Sequence, residues 1–92
     1  MTSITVTVSN QLGMHARAAA RFVQAASVFA SRIRVCAGAR EMDGKSILGL
    51  LLLAAGHGTD VTISAEGTDE VAAAEALAEL VASGFGEGPW NG

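Results

Sequence analysis

The sequence predicts an α+β fold, an open-faced β-sandwich of βαββαβα order in which three helices cover one face of a four-stranded antiparallel sheet. Three observations carry that prediction. Apolar residues, most of them β-branched, alternate with others around positions 4–8, 33–36 and 61–65, the period of a half-buried strand. Helical spacing of apolar residues appears from position 16 and again from about 70, with a short and more apolar run at 47–55 between them. The whole chain has 92 residues, 50% of them hydrophobic and 16% charged, which is material for one core and too little for two.

Ile4, Val6 and Val8 alternate with Thr5 and Thr7 and form the first strand. The first helix spans about 16–30, with Ala19, Phe22, Val23 and Ala26 on its buried face and Arg17, Arg21, Gln24 and Val28 opposite. Ile33 and Val35 alternate with Arg32, Arg34 and Cys36 as a second strand; Gly38 supplies a tight turn, and residues 40–42 return as a short third. The run Asp43-Gly44-Lys45-Ser46 offers a turn and then a capping hydroxyl for a short helix over 47–55, closed by Gly56. Val61, Ile63 and Ala65 mark the fourth strand. The last helix starts in Gly67-Thr68-Asp69-Glu70, buries Val71, Ala74, Leu77, Ala78 and Val81, and ends at Gly84. Crossovers of one hand place the first two strands parallel with a gap that the fourth fills antiparallel. The domain is expected over 1–87, and the aperiodic, glycine-rich residues 88–92 are expected to be a flexible tail.

Composition excludes several classes. A single cysteine, Cys36, allows no internal disulfide. The first residues lack the basic and apolar regions of an export signal, and no apolar run approaches the roughly 20 residues of a membrane span, so a cytoplasmic, monomeric chain is expected. Residues 1–45 carry all six Lys and Arg against two acids, a charge of +4, while 46–92 carry seven acids. That asymmetry suits an anionic ligand or an acidic partner. Nucleic acid is not expected, because the chain is acidic overall and carries only three Phe, one Trp and no Tyr.

One segment stands out chemically. In Asn10-Gln-Leu-Gly-Met-His-Ala-Arg, His15 falls just before the first helical turn and Arg17 two residues on. The first N–H groups of a helix lack intrahelical acceptors and attract anions, and a guanidinium adds donors matched to phosphate oxygens. An imidazole there suits a nucleophile whose transferred group is anionic; a plain polar helix terminus is the alternative. Gly44-Lys45-Ser46 imitates the end of a phosphate loop, but the glycine required five residues earlier is Ala39. His15, His57 and Cys36 have no metal-ligand spacing, so no metal and no cofactor is expected; His57 reads as an exposed loop residue and Cys36 as packing. The helix over 47–55 is apolar on every side, too much for a thin sandwich to bury, so part of it should dock a partner.

Gly13-Met14-His15-Ala16-Arg17-Ala18-Ala19 resembles the Gly-Leu-His-Ala-Arg-Pro-Ala motif of the HPr family, the histidine phosphocarriers of the phosphoenolpyruvate-dependent phosphotransferase system. The block Gly44-Lys45-Ser46-Ile47-Leu48-Gly49-Leu50 is similar to the family's regulatory-serine segment at the right distance. The resemblance runs from Ser3 to about Glu87, and the predicted element order matches the family's. It implies a stoichiometric phosphoryl carrier rather than a turnover enzyme: His15 takes phosphate on Nδ1 from Enzyme I and passes it to an EIIA-type protein, with Arg17 steadying the group. It further implies that Ser46 is a regulatory phosphorylation site addressed by an HPr kinase/phosphorylase. Ile47, Leu48 and Leu51 become the docking patch, with Leu50 and Leu53 inward. Met14 in place of Leu conserves volume. Ala18 in place of Pro keeps the helical turn without locking it, a departure similar to nitrogen-regulatory relatives, so sugar uptake and nitrogen-related regulation both stay open. The rival reading is an α+β regulatory module that binds an anion or a protein without covalent chemistry.

Overall fold

The computed structural model describes residues 1–86. Its elements are β1 (Thr2–Thr7), α1 (Ala16–Ser27), β2 (Arg32–Ala37), β3 (Arg40–Asp43), α2 (Ile47–Leu53), β4 (Asp60–Glu66) and α3 (Glu70–Ala82), followed by a 3₁₀ turn, Gly84–Gly86. The predicted βαββαβα order is the observed one. The tail expected over 88–92 lies outside the described residues, as does Glu87.

The strands form one antiparallel sheet in the order β1-β4-β2-β3. β4 fills the gap between the two crossovers, with Ile4 opposite Ile63 on one side and Val35 opposite Ile63 on the other. Alternation then sorts the faces. Ile33, Val35, Val61, Ile63 and Ala65 are buried beneath the helices. The other face is polar: Ser3 pairs with Ser64 and Thr5 with Thr62 through hydroxyls 2.9 Å apart, and Thr7 donates to Asp60 at 2.6 Å. Phe22 of α1, Leu50 of α2, Leu77 and Val81 of α3 and Phe85 of the 3₁₀ turn complete the core.

Three details differ from the sequence expectation. α1 stops at Ser27, short of position 30, because tertiary partners take the next groups out of the helix. Lys45 Nζ donates to the Phe29 carbonyl at 2.7 Å, and the Asp69 carboxylate accepts the N–H of Ala30 and of Ser31 and the Ser31 hydroxyl. α2 stops at Leu53, where Ala54, and not Gly56, turns left-handed at φ 56° and sends its N–H back to Leu51 O. Val71, expected inside, is exposed, and Ala73 is buried in its stead. At about 100° per residue, Val71 lies roughly a quarter turn from the centre of the stripe formed by Ala73, Ala74, Leu77, Ala78 and Val81. Among the described residues no helix is long and apolar enough to cross a membrane.

Candidate functional site

The segment between β1 and α1 is fastened at both ends. Val8 N–H donates to Thr59 O and Val8 O accepts from Gly58 N–H, each at 2.8 Å. The Asn10 side chain donates to Gly13 O at 2.7 Å, and Met14 N–H donates to Ala55 O, just beyond α2, at 2.9 Å. Gly13 is required twice over. Its φ of 66° is left-handed, and a Cβ there would meet Ala55 O at 2.7 Å and Gly56 Cα at 2.8 Å. Met14 is buried, and the next residue, His15, emerges half-buried at the head of α1.

His15 is the N-cap of α1, with extended backbone (φ −80°, ψ −179°), and its Nδ1 accepts the Arg17 N–H at 3.3 Å. A nitrogen that accepts must keep its lone pair, so the proton of the neutral ring belongs on Nε2. The first turn of α1 holds no acidic side chain of its own to offset the positive end of the helix dipole. Arg17 is exposed, and its guanidinium makes no hydrogen bond or ion pair to any other described residue. Nδ1 of His15 and the helix-end N–H groups therefore meet at the head of α1, and the exposed Arg17 stands in its first turn. An anionic group placed on Nδ1 would find donors already in place.

Ser46 caps α2 as expected, its Oγ accepting Gly49 N–H at 3.0 Å. Lys45, its neighbour, reaches away from it to Phe29 O. The structure does not bring Ser46 to His15. Ser46 heads α2, the His15 loop is tied beyond the other end at Ala55, and a seven-residue helix is about 10 Å long. The face between them is apolar and open: Ile47, Leu48 and Leu51 are 44%, 67% and 39% exposed, whereas Leu50 and Leu53 are buried. Leu52, also exposed and one turn on from Leu48, extends this face, and Leu12 is exposed in the His15 loop; neither was singled out from the sequence. Leu52 was hidden within an all-apolar run, and an isolated loop leucine has no periodic signature.

His57 is an exposed loop residue. Cys36 is half-buried on β2 and donates to Glu41 Oε2 at 3.4 Å. Burial first, then Glu41, push its thiol up from the ordinary value, which suits packing and not nucleophilic work. No group of three metal-ligating side chains exists among the described residues. A hollow of about 280 Å³ lined by Arg32, Ile33, Arg34 and Asp43 includes none of the His15 segment. The Arg34 guanidinium lies 3.4 Å from Glu41, so its charge is already partnered.

Residues 2–83 match the family model described as PTS HPr component phosphorylation site. The chain is 46% identical over 82 residues to the phosphocarrier protein HPr of Cupriavidus necator, covering 89% of this chain and 92% of that one. It is 43% identical over 89 residues to the phosphocarrier protein HPr of Pseudomonas aeruginosa, covering 96% and 99%. Among solved structures, HPr-C-His from Thermoanaerobacter tengcongensis superposes with a TM-score of 0.90 at 45% identity, over 95% of this chain and 98% of that one.

Proposed function

We propose, since this chain belongs to the HPr family of phosphotransferase-system phosphocarriers, that His15 is its phosphoryl acceptor, loaded by phospho-Enzyme I and discharged to an EIIA-type protein. The observation that supports this most is the cap geometry: Nδ1 of His15 offers a lone pair at a helix end whose N–H groups and nearby Arg17 favour an anion. In the loading step the Nδ1 lone pair forms the N–P bond as the donor's bond to phosphorus breaks, and the donor's leaving nitrogen keeps that bonding pair. The Arg17 N–H, deprived of its nitrogen acceptor, can turn to a phosphoryl oxygen, and the guanidinium can meet the spreading charge. Because His15 is partly exposed, a partner has to exclude water from it.

The open face formed by Ile47, Leu48 and Leu51 is the docking surface in this reading, since it borders the His15 loop through the Met14–Ala55 bond. Ser46 is the regulatory position because a phosphate there stands beside that surface without touching His15. The test is incubation with Enzyme I and phosphoenolpyruvate followed by intact mass. One phosphoryl group, lost in acid and kept in base, is the expected result. A chain that binds Enzyme I yet gains no phosphate would leave the non-covalent regulatory module as the better account.

A further inference from the structure

α2 is an unusual support for a reactive loop. It has seven residues, no basic side chain in its last turn, and a C-cap alanine at φ 56°, ψ 38° where a left-handed turn favours glycine. Its final carbonyls are orphaned by geometry. Two of the groups there have partners from outside the helix. Arg40, the first residue of β3, sends Nη1 to Leu52 O at 2.9 Å. Three residues on, Ala55 O accepts Met14 N–H at 2.9 Å, and Met14 carries His15. Between the two lies the left-handed Ala54, whose conformation has to hold for Ala55 O to face Met14.

We propose that Arg40 is a positioning residue for His15, acting from the β2–β3 hairpin through the C-terminal turn of α2. A cation at a helix C-terminus favours the orphan carbonyls and the negative end of the dipole. Here it holds the turn that Ala54 strains. With that turn held, Ala55 O stays in register with Met14 N–H, Gly13 packs against residues 55 and 56, and the imidazole keeps its place at the head of α1. Arg40 touches neither His15 nor a transferred group on this account, and its effect on transfer rests on the phosphocarrier reading above.

The test compares Arg40→Met, which keeps the aliphatic stem, with Arg40→Lys, which restores a cation. Amide hydrogen exchange reads the Met14–Ala55 bond directly, with the core amide of Leu77 in α3 as the reference for overall stability. In Arg40→Met, Met14 exchange should quicken about tenfold relative to Leu77, and Arg40→Lys should recover most of the protection. With Enzyme I and phosphoenolpyruvate, Arg40→Met should lower kcat severalfold while KM for this chain holds. Unchanged Met14 exchange relative to Leu77 overturns the proposal. A raised KM at constant kcat also overturns it and makes Arg40 a direct partner contact. If the wild-type chain takes no phosphate at all, the functional reading fails, and the exchange result still decides whether Arg40 holds the loop.

Discussion

Nδ1 of His15 and the backbone N–H of Arg17 are joined at 3.3 Å, so the atom proposed to carry phosphate is also the atom that caps α1. Substitution at His15 can therefore separate chemistry from structure. His15→Asn keeps a side-chain acceptor at the N-cap and should fold with a near-native melting temperature while gaining no phosphate. His15→Ala should lose phosphate and about 0.5–2 kcal/mol of stability, toward the lower end for so long a bond. Intact mass with Enzyme I and thermal denaturation measure both.

Arg17 offers the opposite separation. Arg17 is exposed and its guanidinium makes no hydrogen bond or ion pair to another described residue, so Arg17→Ala should leave the melting temperature in place and slow phosphoryl transfer about tenfold or more. Quench-flow loading by Enzyme I gives the rate. Full-speed transfer would remove Arg17 from the site.

On α2, neighbours two residues apart should behave as different classes. Leu48 faces solvent and Leu50 is fully buried. Leu48→Glu should weaken the Enzyme I complex and leave the fold stable, whereas Leu50→Ala should cost about 2–5 kcal/mol of stability. Denaturant titration beside isothermal titration calorimetry separates them, and a Leu48→Glu protein that unfolds would make Leu48 part of the core.

Ser46→Asp keeps a cap oxygen at the α2 N-terminus and adds a charge the helix dipole favours. Lys45 is committed to Phe29 O and gives the new charge no help. Near-native stability with slower loading of His15 is the expected outcome, because the charge must be desolvated beside Leu48 when a partner docks. Equal loading rates would leave Ser46 a helix cap only.

The Asp69 clamp supplies the pH dependence. Hydrogen bonds from Ser31 and Ala30 hold its carboxyl below the usual carboxylate value. A depressed folded value means that stability from this group is present above the ordinary carboxylate range and is lost as pH falls through the folded value. Asp69→Asn should therefore be less stable than wild type at neutral pH, with the difference shrinking as the solution is acidified. A constant gap in melting temperature across an acid series would contradict the clamp's role.

The elements themselves were legible because period is a local property: alternation at Ile4, Val6 and Ile63 and helical spacing at Phe22 and Ala26 need no knowledge of neighbours. The ends were not. α1 is cut short by Lys45 and Asp69, distant in sequence, and α2 by an alanine in a conformation its type disfavours. The same division holds at the site. His15, Arg17 and Ser46 declare themselves by place at helix starts, and Ser46 does accept the Gly49 N–H. The proposed role of Arg40 rests only on where the fold sets it, and Phe85, buried at φ 58° with its carbonyl bonded to Arg21, follows a glycine that reads simply as a stop.

The strand order has a consequence for how the chain comes into being. β4 lies between β1 and β2, so the first strand to be synthesised has no neighbour in the sheet until the chain has been extended through Glu66. Pairing Thr2 with Ala65 closes a loop of more than sixty residues, a separation whose entropy delays assembly relative to the local β2–β3 hairpin. A fragment ending at residue 59 should accordingly show no stable sheet by circular dichroism, even though it contains His15, Arg17, Ser46 and all of α2. The candidate histidine thus stands beside a completed sheet only once β4 has been made.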